Sequence, residues 1–264
     1  MSTVTSSWMQ GSRRYQEDRS FLRMLENGWV LAVMDGHGGD DVAKLCASEL
    51  EHLVPTKILP REDVEKLLKD IVSALAVKTR SYFEGSTLSM ACVLEDRNEV
   101  VIAILGDSPV IVIDDRGKVH VSPEHNVRSN ISELRAALAR GGIINKGYLC
   151  NKAGGPGIQM SRALGDTDLD PILSREPEIY TVKKPRWVIV GSDGLLDPGH
   201  RESKRHIDEV VSMCRQGATA ERLIQRAKEL QTEDNVTALV WQTKAPFVKR
   251  KPGVRPKNTA SVKA

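Results

Sequence analysis

Residues 30–39 constrain this chain more than any other stretch. Val30, Leu31, Ala32, Val33 and Met34 form an uninterrupted apolar run, too short for a buried helix, which predicts a buried strand. The run breaks into Asp35-Gly36-His37-Gly38-Gly39, where glycine turns the backbone sharply and leaves carbonyls open to a ligand. A carboxylate and an imidazole are thereby set at a strand end. Taken alone, the pattern fits equally well a strand closed by an Asp-Gly turn.

The rest of the chain repeats it. Residues 100–105 are apolar and end in Gly106-Asp107-Ser108; residues 187–190 are apolar and end in Gly191-Ser192-Asp193-Gly194. Asp18 and Asp234 stand just before the predicted strands 20–25 and 236–241. In an antiparallel sheet the end of one strand lies beside the start of its neighbour. Asp18, Asp35, Asp107, Asp193 and Asp234 are therefore expected to converge on one edge. Carboxylates so grouped cannot all ionise without a cation, and oxygen ligands without cysteine select magnesium or manganese. Arg13 and His37 accompany them. This set suits phosphate ester hydrolysis: two metals about 3.5–4 Å apart can hold a hydroxide and the phosphate, and a guanidinium grips phosphate oxygens as a fork. An acidic rim of any origin has the same spacing, so these residues alone leave the structural alternative open.

Between these sites the periodicity predicts helices over residues 40–54 and 62–83, each with one apolar stripe and hence lying outside a sheet. Asn27-Gly28 signals a hairpin. Strands at 88–94, 100–105, 110–113 and 118–121, joined by short turns, predict an antiparallel meander. Asn130 with Glu133 resembles a capping box for a short helix ending at Gly141-Gly142. Residues 143–157 read as loop with a weak strand, and residues 179–182 as a short strand. Two further helices are marked by Ile207, Val210, Val211, Cys214 and by Leu223, Ile224, Ala227, Leu230.

The chain has 264 residues, enough for one large domain or two small ones. A net charge of +3, part of it in the C-terminal tail, provides no global field for nucleic acid. Residues 1–243 are expected to form the domain, and the basic, proline-containing residues 244–264 a disordered tail. Cys46, Cys92, Cys150 and Cys214 lack paired spacing and read as reduced, packed thiols of a cytoplasmic protein. Residues 1–10 have no apolar signal core, and no stretch is long enough to span a membrane.

The ordered motifs identify a resemblance. Arg13-x-x-x-Glu17-Asp18, Asp35-Gly36-His37-Gly38-Gly39, Gly85-Ser86-Thr87, Gly106-Asp107-Ser108, Ser161-Arg162-Ala163-Leu164-Gly165-Asp166, Asp193-Gly194 and Asp234-Asn235 follow one another over residues 7–241. The chain resembles the metal-dependent protein serine/threonine phosphatases of type 2C, the PPM family. The resemblance implies an α+β fold, a four-layer αββα sandwich with two central antiparallel sheets flanked by helices. It implies two tightly bound Mg2+ or Mn2+ ions and a phosphorylated protein substrate, hydrolysed by metal-activated water or hydroxide attacking phosphorus. Asp35 would bridge both metals, the Gly36 carbonyl would ligate one, and Asp193 and Asp234 the other. Glu17 and Asp18 would act largely through metal-bound waters. Asp107 and Asp197 match positions that help hold a weaker third metal. Arg13 would bind the phosphate and His37 would be the general acid. A monomer is expected.

Some residues depart from the family pattern. Ser12 stands where tryptophan is usual, Gln16 where methionine is common, and Glu124-His125 where Asp-His is common; residues 121–161 hold little extra flap. These differences bear on substrate choice. Two rivals to a protein phosphatase are a catalytically silent regulator of the same fold, disfavoured by the presence of Asp35, Asp193 and Asp234, and a phosphatase of small phosphoesters. Outside the motif acids, Arg162 reads as a structural ion pair, Asp166 as a turn residue, and His52, His125 and His206 as surface or satisfied histidines.

Overall fold

The computed structural model describes residues 2–58, 63–196 and 203–243. In chain order, β1 (Ser2–Met9), β2 (Arg19–Leu25), β3 (Gly28–Met34) and the two-residue β4 (Gly36–His37) precede α1 (Asp41–Leu53) and α2 (Val64–Thr79). Then come β5 (Gly85–Ser86), β6 (Leu88–Leu94), β7 (Glu99–Leu105), β8 (Val110–Asp114), β9 (Val119–Val121) and α3 (Ile131–Ala139). A hairpin of β10 (Ile143–Asn145) and β11 (Tyr148–Cys150) leads to β12 (Leu164–Gly165), β13 (Glu178–Lys183) and β14 (Pro185–Gly191). The last elements are α4 (Ser203–Arg215), α5 (Ala220–Glu229) and β15 (Val236–Thr243).

The uninterrupted apolar runs have a simple cause: both faces of each central strand are covered. Successive side chains point to opposite faces. From β3, Leu31 and Val33 face the second sheet, where Val110, Val112, Val188, Val190 and Leu239 meet them. Val30, Ala32 and Met34 face the other way, onto Val42, Cys46, Leu50, Leu68 and Leu75 of α1 and α2. The outer face of the second sheet, with Ile111, Ile189 and Val240, is covered by Val210, Cys214, Leu223 and Ile224 of α4 and α5. Three apolar layers thus separate four layers of secondary structure, the expected αββα sandwich. One sheet runs β13-β7-β6-β3-β2 and the other β1-β15-β14-β8-β9. All four cysteines are buried, and burial pushes the Cys46 and Cys214 thiols up to about 12. Among the described residues no helix is long and apolar enough to cross a membrane.

The structure differs from the sequence reading in several places. Residues 2–9 are a strand, β1, paired along its length with β15; its polar composition hides it because much of it is only half-buried at a sheet edge. The expected meander is split: β6 and β7 belong to one sheet and β8 and β9 to the other, so the turn at Gly106 crosses between sheets. α2 ends at Thr79, short of the expected residue 83. The hairpin turn falls at Glu26-Asn27, since Leu25 pairs with Gly28. Only half of the capping box forms: Asn130 accepts from the Ser132 and Glu133 amides, while the Glu133 carboxylate pairs with Arg162. The weak strand in residues 143–157 is the β10–β11 hairpin.

Candidate active site

Strand ends place the acids. Asp18 directly precedes β2 and Asp35 directly follows β3; these antiparallel neighbours put Arg19 opposite Met34, so both acids share one end of the first sheet. In the second sheet Gly191 of β14 lies opposite Ala238 of β15, which brings Asp193 and Asp234 to the same end. Asp107 lies on the crossing between the sheets.

Neighbouring polar groups fix each one. The Asp35 amide donates to Thr87 Oγ1 at 3.1 Å, and the Thr87 amide and Ser86 hydroxyl donate to the Asp35 carbonyl at 2.9 and 3.2 Å. Ser192 Oγ donates to Asp18 Oδ2 at 2.8 Å while accepting from the Thr237 amide at 2.9 Å. Asn126 Nδ2 donates to Asp107 Oδ2 at 2.9 Å, and buried His125 accepts the Gly106 amide on Nδ1 at 3.1 Å. Burial, then the charge of Arg162, hold His125 below the usual histidine range, so it serves as a neutral acceptor. Gly36 is dictated by close approach: a Cβ there would meet the Glu17 carbonyl oxygen at 2.6 Å.

The acids repel one another. Burial first, then the charges of Asp18, Asp193, Asp107 and Asp234, hold Asp35 well above the usual carboxylate range. Burial and then Asp107, Asp234 and Asp18 do the same to Asp193. Burial, opposed by hydrogen bonds from Ser192 and Thr237, pushes Asp18 up to about 6. Burial also raises Asp107, against the Asn126 hydrogen bond. Asp18 Oδ1 is buried without a hydrogen-bond partner.

Arg13 sits on the β1–β2 connection, half-exposed, with one guanidinium nitrogen donating to Asp234 Oδ2 at 2.8 Å. That connection is tied down by Asn235, whose Nδ2 donates to the carbonyls of Gln10 and Tyr15 at 2.8 and 3.0 Å. Asn235 Oδ1 accepts the Glu17 amide at 2.8 Å. The Ser12 amide and hydroxyl both donate to the Glu233 carbonyl, at 3.2 and 3.1 Å.

With this geometry in view, residues 3–236 match the family described as Protein phosphatase 2C. The chain belongs to the protein phosphatase 2C family.

The phosphatase is similar to Protein phosphatase 1K, mitochondrial, of Xenopus laevis, with 26% identity over 260 residues, covering 91% of this chain and 68% of the relative. Among solved structures it is similar to a C. elegans sex determining protein, with a TM-score of 0.74 and 24% identity, covering 91% of this chain. The phosphatase spans 64% of that longer chain. It is also similar to the serine/threonine phosphatase Stp1 of Staphylococcus aureus, with a TM-score of 0.69 and 20% identity, covering 93% and 96% of the two chains. The two structural likenesses bear on the fold. By family the chain is a phosphoprotein phosphatase, a phosphoric monoester hydrolase.

The donor set of the phosphatase fits hard divalent cations. It offers carboxylate oxygens, no thiolate, and an orphaned buried oxygen on Asp18. Among the described residues no three acids or histidines stand close enough together to grip one ion as placed; the carboxylates face each other at the longer range of mutual repulsion, which a cation would reverse. Glu17 enters the site through its backbone amide and carbonyl. Asp197 and the basic tail lie outside the described residues.

The sequence analysis missed the supporting residues. Thr87 and Ser192 stand in quoted motifs that say nothing of their partners, and Asn126 stands in none; only long-range contact reveals their use. Arg162 is the expected structural ion pair, with Nε and one terminal nitrogen donating to the two Glu133 oxygens at 3.1 and 2.6 Å. Asp166 is the expected turn residue through its backbone, whose carbonyl accepts the Leu169 amide at 3.0 Å, but its side chain has another use. Its side chain makes no cap in the following 3-10 turn; both of its oxygens lie against His37 Nε2, at 3.0 and 2.9 Å.

Proposed function

We propose that this phosphatase hydrolyses phosphoserine and phosphothreonine in protein substrates, using Mg2+ or Mn2+ held by the acids at the sheet ends. The observation that carries this reading is the set of Asp18, Asp35, Asp107 and Asp193, all raised by burial; the charge of Asp234 adds to this at Asp18, and the charges of several of these acids add to it at Asp35 and Asp193. A fold keeps such mutual repulsion where a bound cation turns it into attraction. Asp35, the Gly36 carbonyl, Asp193 and Asp234 would hold two ions, Glu17 and Asp18 would orient their water shell, and Asp107 with Asp197 would hold a weaker third. When bound, the two ions activate the attacking water and draw charge from the phosphoryl oxygens.

The chain's own residues do the rest. Arg13, now paired with Asp234, would donate through its guanidinium to phosphoryl oxygens, its fork freed where Asp234 serves as a metal ligand. His37, partly exposed, gives a proton to the departing serine or threonine oxygen as the P–O bond breaks. Thr87 and Ser86 keep the Asp35 backbone in register, so the carboxylate does not swing as substrate arrives. We place the phosphatase in a reducing compartment, on the strength of its four buried and widely scattered cysteines, and we propose a monomer; the cytoplasm satisfies the first, as does the mitochondrial setting named for the Xenopus relative.

Hydrolysis of a phosphothreonine peptide with manganese, repeated with chelator, tests the reading. Turnover is expected with metal and not with chelator. Metal-independent turnover, or none under either condition, would overturn it.

A further inference from the structure

We propose that Asp166 is the positioning residue for His37: it holds the imidazole by Nε2, so that Nδ1 is the nitrogen that delivers the proton to the leaving-group oxygen. The assignment rests on His37 being the acid, as proposed above.

The contact is built by a small three-stranded sheet whose strands are two residues each. β12, β5 and β4 pair side by side, with His37 opposite Gly85 and Gly85 opposite Gly165. Three segments distant in sequence thus end at one point, with Asp166 directly after β12. The middle residue must lack a side chain. A Cβ on Gly85 would lie 2.1 Å from Asp166 Oδ2 and 2.2 Å from His37 Nε2. The missing Cβ is what lets the carboxylate and the imidazole meet across the strand.

The rest of the surroundings agree. Asp166 takes left-handed backbone angles, φ 51° and ψ 52°, a region that aspartate and asparagine enter more readily than other side-chain-bearing residues. Its side chain is 5% exposed, against 24% for His37, so the carboxylate is the more buried partner and the ring is the one that reaches solvent. An ionised carboxylate only accepts hydrogen bonds, so Nε2 must carry the hydrogen it donates. The nitrogen left for chemistry is Nδ1. In the acid step the Nδ1–H bond breaks, an O–H bond forms on the departing serine or threonine oxygen, and the P–O electron pair leaves with that oxygen. The imidazole is left neutral, with Nε2–H still against Asp166, and regains its proton from solvent. A carboxylate on the distal nitrogen orients the ring and fixes which nitrogen carries the hydrogen, the logic of an Asp-His pair in acyl transfer applied to an acid.

The test uses Asp166→Asn in the full-length protein, because asparagine tolerates the left-handed backbone. With manganese, kcat on a phosphothreonine peptide should fall by roughly 10–10³-fold, without exceeding the His37→Gln loss, and KM should hold. A nitrophenyl phosphate, whose leaving group needs little protonation, should be nearly unaffected. Adding Asp166→Asn to His37→Gln should cost nothing further, because the two act as a unit. In the metal-free wild type, nitrogen-15 spectra at alkaline pH should show His37 as the Nε2–H tautomer. That measurement needs no variant, and an Nδ1–H tautomer would overturn the assignment. So would equal losses on both substrates in Asp166→Asn, or losses that add in full to those of His37→Gln. If His37→Gln itself slows both substrates equally, the acid reading fails and takes the assignment with it; selectivity in His37→Gln without selectivity in Asp166→Asn overturns the assignment alone.

Discussion

Asp18→Asn should make the metal-free phosphatase more stable, not less. Asp18 is only 4% exposed, and its carboxylate is held at about 6 in the folded chain, mainly by burial, against the usual 3.8. The folded state therefore binds a proton more tightly than the unfolded chain does. By linkage, this group's contribution to stability is fully present below pH ~4 and is lost as pH rises through ~6. Above that, keeping the ionised carboxylate in place costs roughly 3 kcal/mol, at about 1.4 kcal/mol per pH unit. Asparagine removes the charge, keeps an oxygen to accept from Ser192, and directs an amide toward the Asp35 carboxylate within its reach. Melting of chelator-treated protein should show the variant ahead by up to roughly 6–12 °C at pH 8, given about 2–4 °C per kcal/mol for a domain of this size. At pH 5 the gap should shrink by about half, since the unfolded chain is then only partly ahead in releasing its proton. Manganese at pH 8 should reverse the order, raising the wild type more than the variant. Equal melting of the two chelated proteins at pH 8, or a gap that ignores pH, would refute the claim that Asp18 is held charged at a cost that a cation relieves.

Other outcomes follow from the same geometry. Asp35→Asn, Asp193→Asn and Asp234→Asn should each nearly abolish turnover and weaken manganese binding in calorimetric titration; wild-type binding in all three would remove the metals from this place. Arg13→Ala should weaken inhibition by inorganic phosphate roughly 10–10²-fold, the worth of charge-assisted hydrogen bonds of ~1.5–3 kcal/mol, with little change in manganese affinity by calorimetry. Asp107→Ala should leave tight metal binding intact but raise the manganese concentration needed for full activity; an unaltered midpoint would reduce Asp107 to a turn residue held by Asn126. Gly85→Ala should part His37 from Asp166, because its Cβ would fall between them, so peptide turnover should drop while metal binding by calorimetry persists.

The sequence read alone was strongest where the signal is local. Uninterrupted runs such as residues 100–105 announce strands covered on both faces, and α1, α2 and α5 announce themselves by one apolar stripe each. The reading weakened where pairing is long-range. β1 carries few large apolar residues, yet eight of its residues pair with β15, because an edge strand can be held by backbone hydrogen bonds with little core contact. The split of the expected meander between two sheets likewise follows from which faces need covering, a property of the assembled layers rather than of any turn.

For the site, the residue types and their places at strand ends were enough to predict carboxylates for a hard cation and an arginine for phosphate; the role of the histidine toward the leaving group came only with the family resemblance. Tertiary structure alone decided which groups support them. Ser192 reaches Asp18 across 174 positions, Asn235 ties down the segment that carries Arg13, and Asp166 reaches His37 across 129. Two-residue strands such as β4, β5 and β12 have no periodicity to read, and a single polar residue looks the same in a turn as behind an imidazole. Their roles exist only once the sheets have closed, because they consist of distances between parts of the chain that share no local pattern.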